Sequence, residues 1–421
     1  MNISIVGAYN TQFGAFIKRD RETGVVEDLK SFYELIVEAG AGAIADAGLE
    51  STDIDAIWLG SCSPSLFCNQ EHVAPLALEI DPKGLLYIPT TRTEGACATS
   101  SIAIYNAAYA VASGRFKNVL AIGVEKMNLL DTKGVTHALA CCSYWPDEGS
   151  MGVTFPGLFG EMANAYQVKY GLSDEELRTM FAHVAAQNYR NGIQNPLAHF
   201  GPGSLPDKKQ LVTAEAILSL PDEGKGANIM IAPPLRLHDC SLISDGAAAV
   251  VLTSTENAKA GFEHAVELSG IGHVTQRMML SERRETLHEL QAAKYAVQQA
   301  CSEAGVQASD MDLAEVHDCF TINQMLCVEA MGLSEPGQAG YDFMEGKYNP
   351  EGDCPINLSG GLKSKGHPVG ATGASMHALV YKQLTGAPIG VAAKGEPELA
   401  MTVNIGGSGV TNCVSVLRRI Q

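Results

Sequence analysis

Short runs of buried-strand character alternate with amphipathic stretches along most of the chain. Ile3-Ser-Ile-Val-Gly7 predicts a buried strand near the start. An alanine-rich amphipathic stretch then runs into Ala47-Gly-Leu-Glu-Ser-Thr-Asp-Ile-Asp55, followed by an apolar strand pattern over residues 56–59. The same order returns late in the chain, where Ala304-Gly-Val-Gln-Ala-Ser-Asp-Met-Asp312 leads into a strand pattern over residues 313–316. A helix, an Ala-Gly helix end, an acidic turn and a strand make a natural αβ unit. Extending the register sets Gly60 opposite His317 and Cys62 opposite Cys319.

Two further matches follow in the same order. Gly95-Ala-Cys-Ala-Thr-Ser100 resembles Gly370-Ala-Thr-Gly-Ala-Ser375, and each precedes a helix-like run. Gly114-Arg-Phe-Lys-Asn-Val-Leu-Ala-Ile-Gly123 pairs with Gly395-Glu-Pro-Glu-Leu-Ala-Met-Thr-Val-Asn404. Repetition of this kind predicts two homologous α/β halves, residues 1–126 with 237–265 and residues 266–421. The intervening residues 127–236 have no counterpart and carry Pro146, Pro156, Pro196, Pro202, Pro206, Pro221, Pro233 and Pro234. They read as an inserted loop domain with a helix near residues 173–187. Leu242-Ile-Ser-Asp-Gly-Ala-Ala-Ala-Val-Val-Leu252 then reads as a turn and a buried strand returning to the first half.

Composition narrows the field. At 421 residues, with 46% hydrophobic positions and 43 glycines, the chain suits two or three packed α/β units with many tight turns. A net charge of −18 argues against general binding to nucleic acid or to an anionic membrane surface. A phosphorylated ligand needs only a local basic patch and remains compatible. No apolar run reaches membrane-spanning length, the N-terminus lacks a cationic flank, and Leu417-Arg-Arg-Ile-Gln421 is no peroxisomal address, so a cytoplasmic protein is expected. The eleven cysteines include no CxxC spacing, which argues for free thiols and against a structural zinc site.

Four thiol and imidazole positions suggest thiol-based acyl chemistry. Cys97 precedes a helical pattern over residues 102–113, where the positive end of the helix dipole favours thiolate and Gly95 would allow a sharp turn. His367 sits between Gly366 and Pro368 in Gly360-Gly-Leu-Lys-Ser-Lys-Gly-His-Pro-Val-Gly-Ala-Thr-Gly373, a rigid loop with neither Walker nor GxGxxG spacing. His317 and Cys319 close the repeated strand on one face, with Asp318 on the other. Taken singly, each residue reads equally as a buried thiol, a satisfied loop histidine or a core pair at a strand end.

Together, Cys97, His317-Asp-Cys-Phe320, Gly366-His-Pro368 and Asn404-Ile-Gly-Gly-Ser-Gly409 resemble the thiolase superfamily. The likeness covers essentially the whole chain and is to the sterol-carrier-protein-type branch with its bacterial and archaeal relatives. It implies two doubly wound halves in a five-layer αβαβα sandwich, coenzyme A as substrate, no bound cofactor or metal, and a homodimer or larger assembly. By this resemblance Cys97 is the acylated nucleophile, His367 activates it, and Cys319 is the acid/base. His317 stands where many thiolases carry an oxyanion-hole Asn, Gly406 supplies a backbone N–H to the second oxyanion hole, and Phe320 adjoins the substrate. Common thiolases place the acid/base cysteine where this chain has Asn404, so Cys319 has to take that role and Cys413 is not assigned it. The implied reaction is CoA-dependent retro-Claisen cleavage of a 3-oxoacyl-CoA, with a bulky aromatic substrate such as benzoylsuccinyl-CoA among those considered. The alternatives are Claisen condensation of acetyl-CoA to acetoacetyl-CoA and a non-catalytic thiolase-like scaffold. Some relatives work with a small OB-fold, zinc-ribbon partner. For the CoA phosphates, Lys208 and Lys209 are the clearest basic pair of the insert, although an exposed lysine pair is also common without a ligand.

Overall fold

Nine strands form the central framework of the computed structural model, which describes residues 2–20 and 22–420. Gln421, part of the chain end read above, lies outside the described residues. The strands are β1 (Ile3–Asn10), β2 (Ala56–Gly60), β3 (Thr90–Thr93), β4 (Val119–Glu125), β5 (Gly246–Ser254), β6 (Val266–Thr275), β7 (Leu313–Val316), β8 (Leu399–Gly406) and β9 (Thr411–Arg419). In the first half the order is β1-β5-β4-β2-β3, antiparallel at the first two contacts and parallel at the last two. The second half runs β6-β9-β8-β7 with the same orientations, and Ile356 bridges to Ala314 in parallel where β3 would stand. The internal duplication is therefore visible as repeated strand order. The halves join edge to edge through an antiparallel contact of β1 with β6, at Ser4 to Glu267 and Ile5 to Val266.

Eight longer helices matter here: α1 (Phe32–Asp46), α2 (Thr99–Ala112), α3 (Thr132–Ala140), α4 (Phe155–Tyr170), α5 (Asp174–Gly192), α6 (Gln291–Ala304), α7 (Thr321–Met331) and α8 (Thr372–Leu384). Strand alternation divides the core. On β4 and β5, Leu120, Ile122, Ala249 and Val251 face α1, whereas Val119, Ala121, Val250 and Leu252 face the cluster that holds α2 and α8. On β8, Met401, Val403 and Ile405 face the cluster that holds α6 and α7. The result is α1, the first strand set, α2 with α8, the second strand set, and α6 with α7.

The two repeated units are built alike in detail. Helix α1 starts on a Ser31–Glu34 capping box and is followed by Gly48 at φ 65°, while α6 is closed by Gly305 at φ 69°. Each helix lies so close to its strand that only glycine fits beneath it. A Cβ on Gly7 would meet the Ala43 carbonyl oxygen at 2.6 Å, and one on Gly270 the Ala300 carbonyl oxygen at 2.0 Å.

Between β4 and β5 the chain makes the helices α3, α4 and α5. The helix expected near residues 173–187 extends to Gly192 and begins on a Ser173–Glu176 capping box. Its buried face packs Leu177, Met180, Phe181 and Val184 with α4 against the second half. No helix among the described residues is long and apolar enough to cross a membrane.

Candidate active site

Cys97 lies in a three-residue turn, Ala96–Ala98, immediately before α2. The turn does not use Gly95 as expected. Gly95 has an extended φ of −176°, and Ala96 takes the left-handed conformation at φ 51°. A non-glycine residue there stores strain, which the surroundings must hold. Thr99 does so from the first turn of α2: its hydroxyl accepts from the Gly95 N–H at 2.9 Å and donates to the Ala96 carbonyl at 2.6 Å. A Cβ on Gly95 would lie 2.2 Å from Ile102 Cδ1, the mobile end of a half-buried side chain that would have to shift to admit it.

The expected partners converge on this sulfur from the second half. One ligating atom each of Cys97, His317 and His367 lies within 4.8 Å of the other two. The two imidazole rings stand nearly perpendicular, with centroids 5.1 Å apart. Strand β7 ends at Val316, so His317, Asp318 and Cys319 form the turn between β7 and α7 rather than the end of the strand. The alternation nevertheless persists. Asp318 turns away from the cavity and accepts from the Leu362 and Lys363 N–H groups at 2.7 and 3.0 Å and from Asn188 Nδ2 at 2.9 Å. It thereby ties α5 and the loop leading to His367 to the strand end.

A cavity of about 250 Å³ opens above Cys97, with Cys319, Phe320, His367 and Gly407 also on its surface. Val135, Leu139, Phe155 and Phe159 of the insert form apolar walls. Phe320 stacks on Phe159 with centroids 4.7 Å apart, joining the second half to the insert at the cavity wall.

Hydrogen bonding sets the two histidines in different roles. Thr372 donates its hydroxyl proton to the Pro368 carbonyl at 3.1 Å, and the 2.7 Å contact between its oxygen and His367 Nδ1 then fits a ring proton on Nδ1. His367 Nε2 is left as a lone pair. Burial, then Lys365, hold His367 down to about 3, and burial, His367 and Lys365 hold His317 well below its ordinary value. Both rings are neutral near pH 7. Burial pushes the Cys97 thiol up, Cys142 adds to this, and a hydrogen bond from the Gly407 backbone opposes it. The thiolate expected from the helix start is thus outweighed by desolvation. Cys319 is also raised, by burial first and then by Cys97 and Asp318.

Three residues expected to bind substrate are not among those lining the cavity. Gly407, rather than Gly406, is the residue whose N–H reaches the Cys97 sulfur; Gly406 ends β8 packed against Gly95, where a Cβ would meet the Gly95 carbonyl oxygen at 2.3 Å. Lys208 and Lys209 are exposed on a short helix, Leu205–Lys209, and are not among the cavity-lining residues. Cys413 sits fully buried in the core around α2 and α8, also away from the cavity. Sequence reasoning missed Thr372, although it stands inside the loop singled out for His367. It also missed Gly407 and the side-chain contacts of Asn404, noted only as an exchanged cysteine.

A thiol, an unprotonated imidazole nitrogen and a second thiol around one largely apolar cavity suit covalent acyl transfer followed by proton transfer at carbon. Family comparison agrees. Residues 3–256 match the family model for the thiolase N-terminal domain, and residues 272–419 match the thiolase C-terminal domain-like model. An acetyl-CoA acetyltransferase of Methanothermobacter thermautotrophicus is 39% identical over 99% of this chain and 100% of its own length. The benzoylsuccinyl-CoA thiolase subunit BbsB of Thauera aromatica is 29% identical over 76% of this chain and 77% of its own. Among solved structures, an Ltp2-ChsH2(DUF35) aldolase superposes with a TM-score of 0.78 at 22% identity, covering 99% of this chain and 98% of that one.

Proposed function

The chain belongs to the thiolase family, in the branch that includes sterol carrier protein 2, and from that premise we propose that it is an acyl-CoA C-acyltransferase working through an acyl-Cys97 intermediate. The observation that carries this reading is the triangle of Cys97, His317 and His367 beneath the cavity, with Cys319 on the same surface. The reaction proposed is Claisen condensation of two acetyl-CoA molecules to acetoacetyl-CoA and its reversal by CoA. The acetyl assignment is supported by the 39% identical relative.

His367 Nε2 takes the Cys97 proton as the sulfur attacks the thioester carbonyl. The resulting oxyanion is met by the Gly407 N–H, and collapse expels CoA thiolate, which takes the proton of Cys319. The Cys319 thiolate so formed removes the α-proton of a second acetyl-CoA. Its enolate oxygen is held by the two histidines, His367 still carrying the Cys97 proton, while the enolate carbon attacks the acyl group and releases Cys97 thiolate, which recovers that proton from His367. Each oxyanion donor of this kind is worth roughly 3 kcal/mol. In reverse, the same groups perform thiolytic cleavage.

A second reading, cleavage of a bulkier aromatic 3-oxoacyl-CoA, is favoured by the Phe159–Phe320 pair on the cavity wall and by the likeness to the benzoylsuccinyl-CoA thiolase subunit. A homodimer is proposed as the working unit. A small OB-fold, zinc-ribbon partner is proposed as well, supported by the DUF35 component named with the aldolase of the same fold. Incubation with [14C]acetyl-CoA, acid quench and peptide mapping tests the central claim. Label on the Cys97 peptide is expected, and label on Cys319 would exchange the two roles. Absence of any acyl-enzyme with every thioester tried would refute acyl transfer and leave aldol cleavage or a scaffold role.

A further inference from the structure

We infer that Asn404 is a positioning residue that fixes His317 as the tautomer protonated at Nε2, making it an obligate hydrogen-bond donor beside Cys97. The inference rests on the acyl-transfer reading for its consequence, but not for its geometry. Asn404 is fully buried in β8, and all three of its visible contacts are specific. Its Oδ1 accepts from the Ser101 hydroxyl at 2.8 Å. Its Nδ2 donates to the Cys97 carbonyl at 3.1 Å and lies 3.0 Å from His317 Nδ1.

The first two contacts settle which way the amide faces. A flipped amide would set Oδ1 against the Cys97 carbonyl oxygen, acceptor to acceptor, in a site with no solvent to relieve it. With Nδ2 held toward Cys97, its second proton points at His317 Nδ1. That nitrogen has to be the acceptor, because an N–H there would face another N–H donor. The single proton of the neutral ring then sits on Nε2.

The ring has little freedom to escape this. The His317 N–H donates to the Val403 carbonyl at 2.9 Å, and its own carbonyl accepts from Asn323 Nδ2 at 2.6 Å. Burial, then His367 and the buried Lys365, disfavour a charged His317 ring, so it carries a single ring proton. Thr372 imposes the opposite pattern on His367, whose Nδ1 is protonated and whose Nε2 is free. One imidazole is thus built as a base and the other as a donor, 5.1 Å apart. Asn404 acts on the donor, through His317 Nδ1.

Imidazole nitrogen NMR on uniformly 15N-histidine-labelled resting protein tests this, with the His317 signals identified by their loss in His317→Gln. The wild-type protein should show His317 with Nδ1 unprotonated and Nε2 protonated. In Asn404→Asp a carboxylate oxygen faces Nδ1 and should draw the proton onto it. The same variant should lose about 100-fold or more in kcat for acetoacetyl-CoA thiolysis, the scale of a lost oxyanion donor, while KM stays within about threefold. A merely structural role would lower the yield of folded protein and leave the His317 tautomer unchanged. A wild-type His317 protonated at Nδ1 would overturn the inference whether or not any variant folds. So would a folded Asn404→Asp protein that keeps both the Nε2–H signal and wild-type kcat. Because the spectrum is taken without substrate, failure to turn over any CoA thioester would count against the acyl-transfer reading and leave the tautomer result standing.

Discussion

Cys97 should rest as a neutral thiol, not as a thiolate paired with an imidazolium. Burial lifts the thiol above its ordinary 9 and holds His367 at about 3, leaving the two more than six units apart in the direction that opposes proton transfer. At 1.36 kcal/mol per unit this is roughly 8 kcal/mol. Attraction between the charges, with their atoms within 4.8 Å, returns about 3.5 kcal/mol at an effective dielectric near 20. The start of α2 adds no more than about 1 kcal/mol for a turn just outside the helix. Some 4 kcal/mol remain against the ion pair, so on the order of one molecule in a thousand holds the thiolate. The assay is the rate of iodoacetamide alkylation at Cys97, followed by peptide mass spectrometry between pH 5.5 and 8.5. The ion pair carries the same number of protons as the neutral pair, so its small share is constant across this window, and the rate should sit about a thousandfold below that of a fully ionised thiol until Cys97 itself loses its proton at higher pH. A pH-independent rate close to that of a fully ionised thiol would mean a preformed ion pair and would refute this reasoning. Substrate binding must then supply what the resting site lacks, with the Gly407 N–H acting once charge has moved from sulfur to the carbonyl oxygen.

Cys319→Ala should lose at least about 100-fold in steady-state turnover while Cys97 is still acylated in a single turnover, whereas Cys413→Ala should keep its turnover because that thiol lies in the core; the reverse pattern in paired kinetics would sink the assignment. Replacing Lys208 and Lys209 together by Glu should raise the KM for CoA and steepen its salt dependence without changing Cys97 alkylation, and an unchanged KM would move the phosphate contacts elsewhere. His377 is held at about 4 by burial, against a bond to the Gly373 carbonyl, so its folded form resists protonation that the unfolded chain accepts near 6.5. Its contribution is present above pH 6.5 and is lost as pH falls toward 4, amounting to roughly 2 kcal/mol between pH 7 and 5. Urea titrations at both pH values should show that loss shrinking by about this amount in His377→Gln relative to the parent; equal losses in the two proteins would contradict it.

The duplication was legible because it rests on local signals. Ala-Gly helix ends, acidic turns and short apolar strands recur in order, and each unit must bury the same strand faces. The residues that meet at the cavity, Cys97, Cys319 and His367 with His317 beside them, were legible for a different reason, as ordered motifs of a recognisable family. What the sequence concealed lies in contacts made between distant segments. Asn404 touches Cys97 and His317, 307 and 87 positions away. The strained residue of the nucleophile turn is Ala96, where local rules favour Gly95, and the Thr99 hydroxyl that holds its carbonyl comes from the following helix. Thiolate character was overestimated at Cys97 because a helix start is visible in sequence and depth of burial is not.

With the acid/base role proposed for Cys319, an asparagine at position 404 follows from where the two residues stand. Positions 404 and 319 approach Cys97 from neighbouring segments, since β8 pairs with β7 and the turn after β7 carries Cys319. An acid/base thiol can work from either side of the same sulfur. It cannot, however, be moved without a second change. A thiol at 404 is too weak a donor to hold the Cys97 carbonyl and His317 Nδ1 together, whereas an amide offers two N–H groups at the required separation. A histidine at 317 in turn needs that amide to define its proton. Asn404, His317 and Cys319 therefore form one coupled solution, and Asn404→Cys alone should restore no activity to Cys319→Ala, because the returning thiol removes the group that orients His317. Recovery of near-parental turnover in the Asn404→Cys, Cys319→Ala double variant would show the positions to be independent, and the coupling argued from these three contacts would fail.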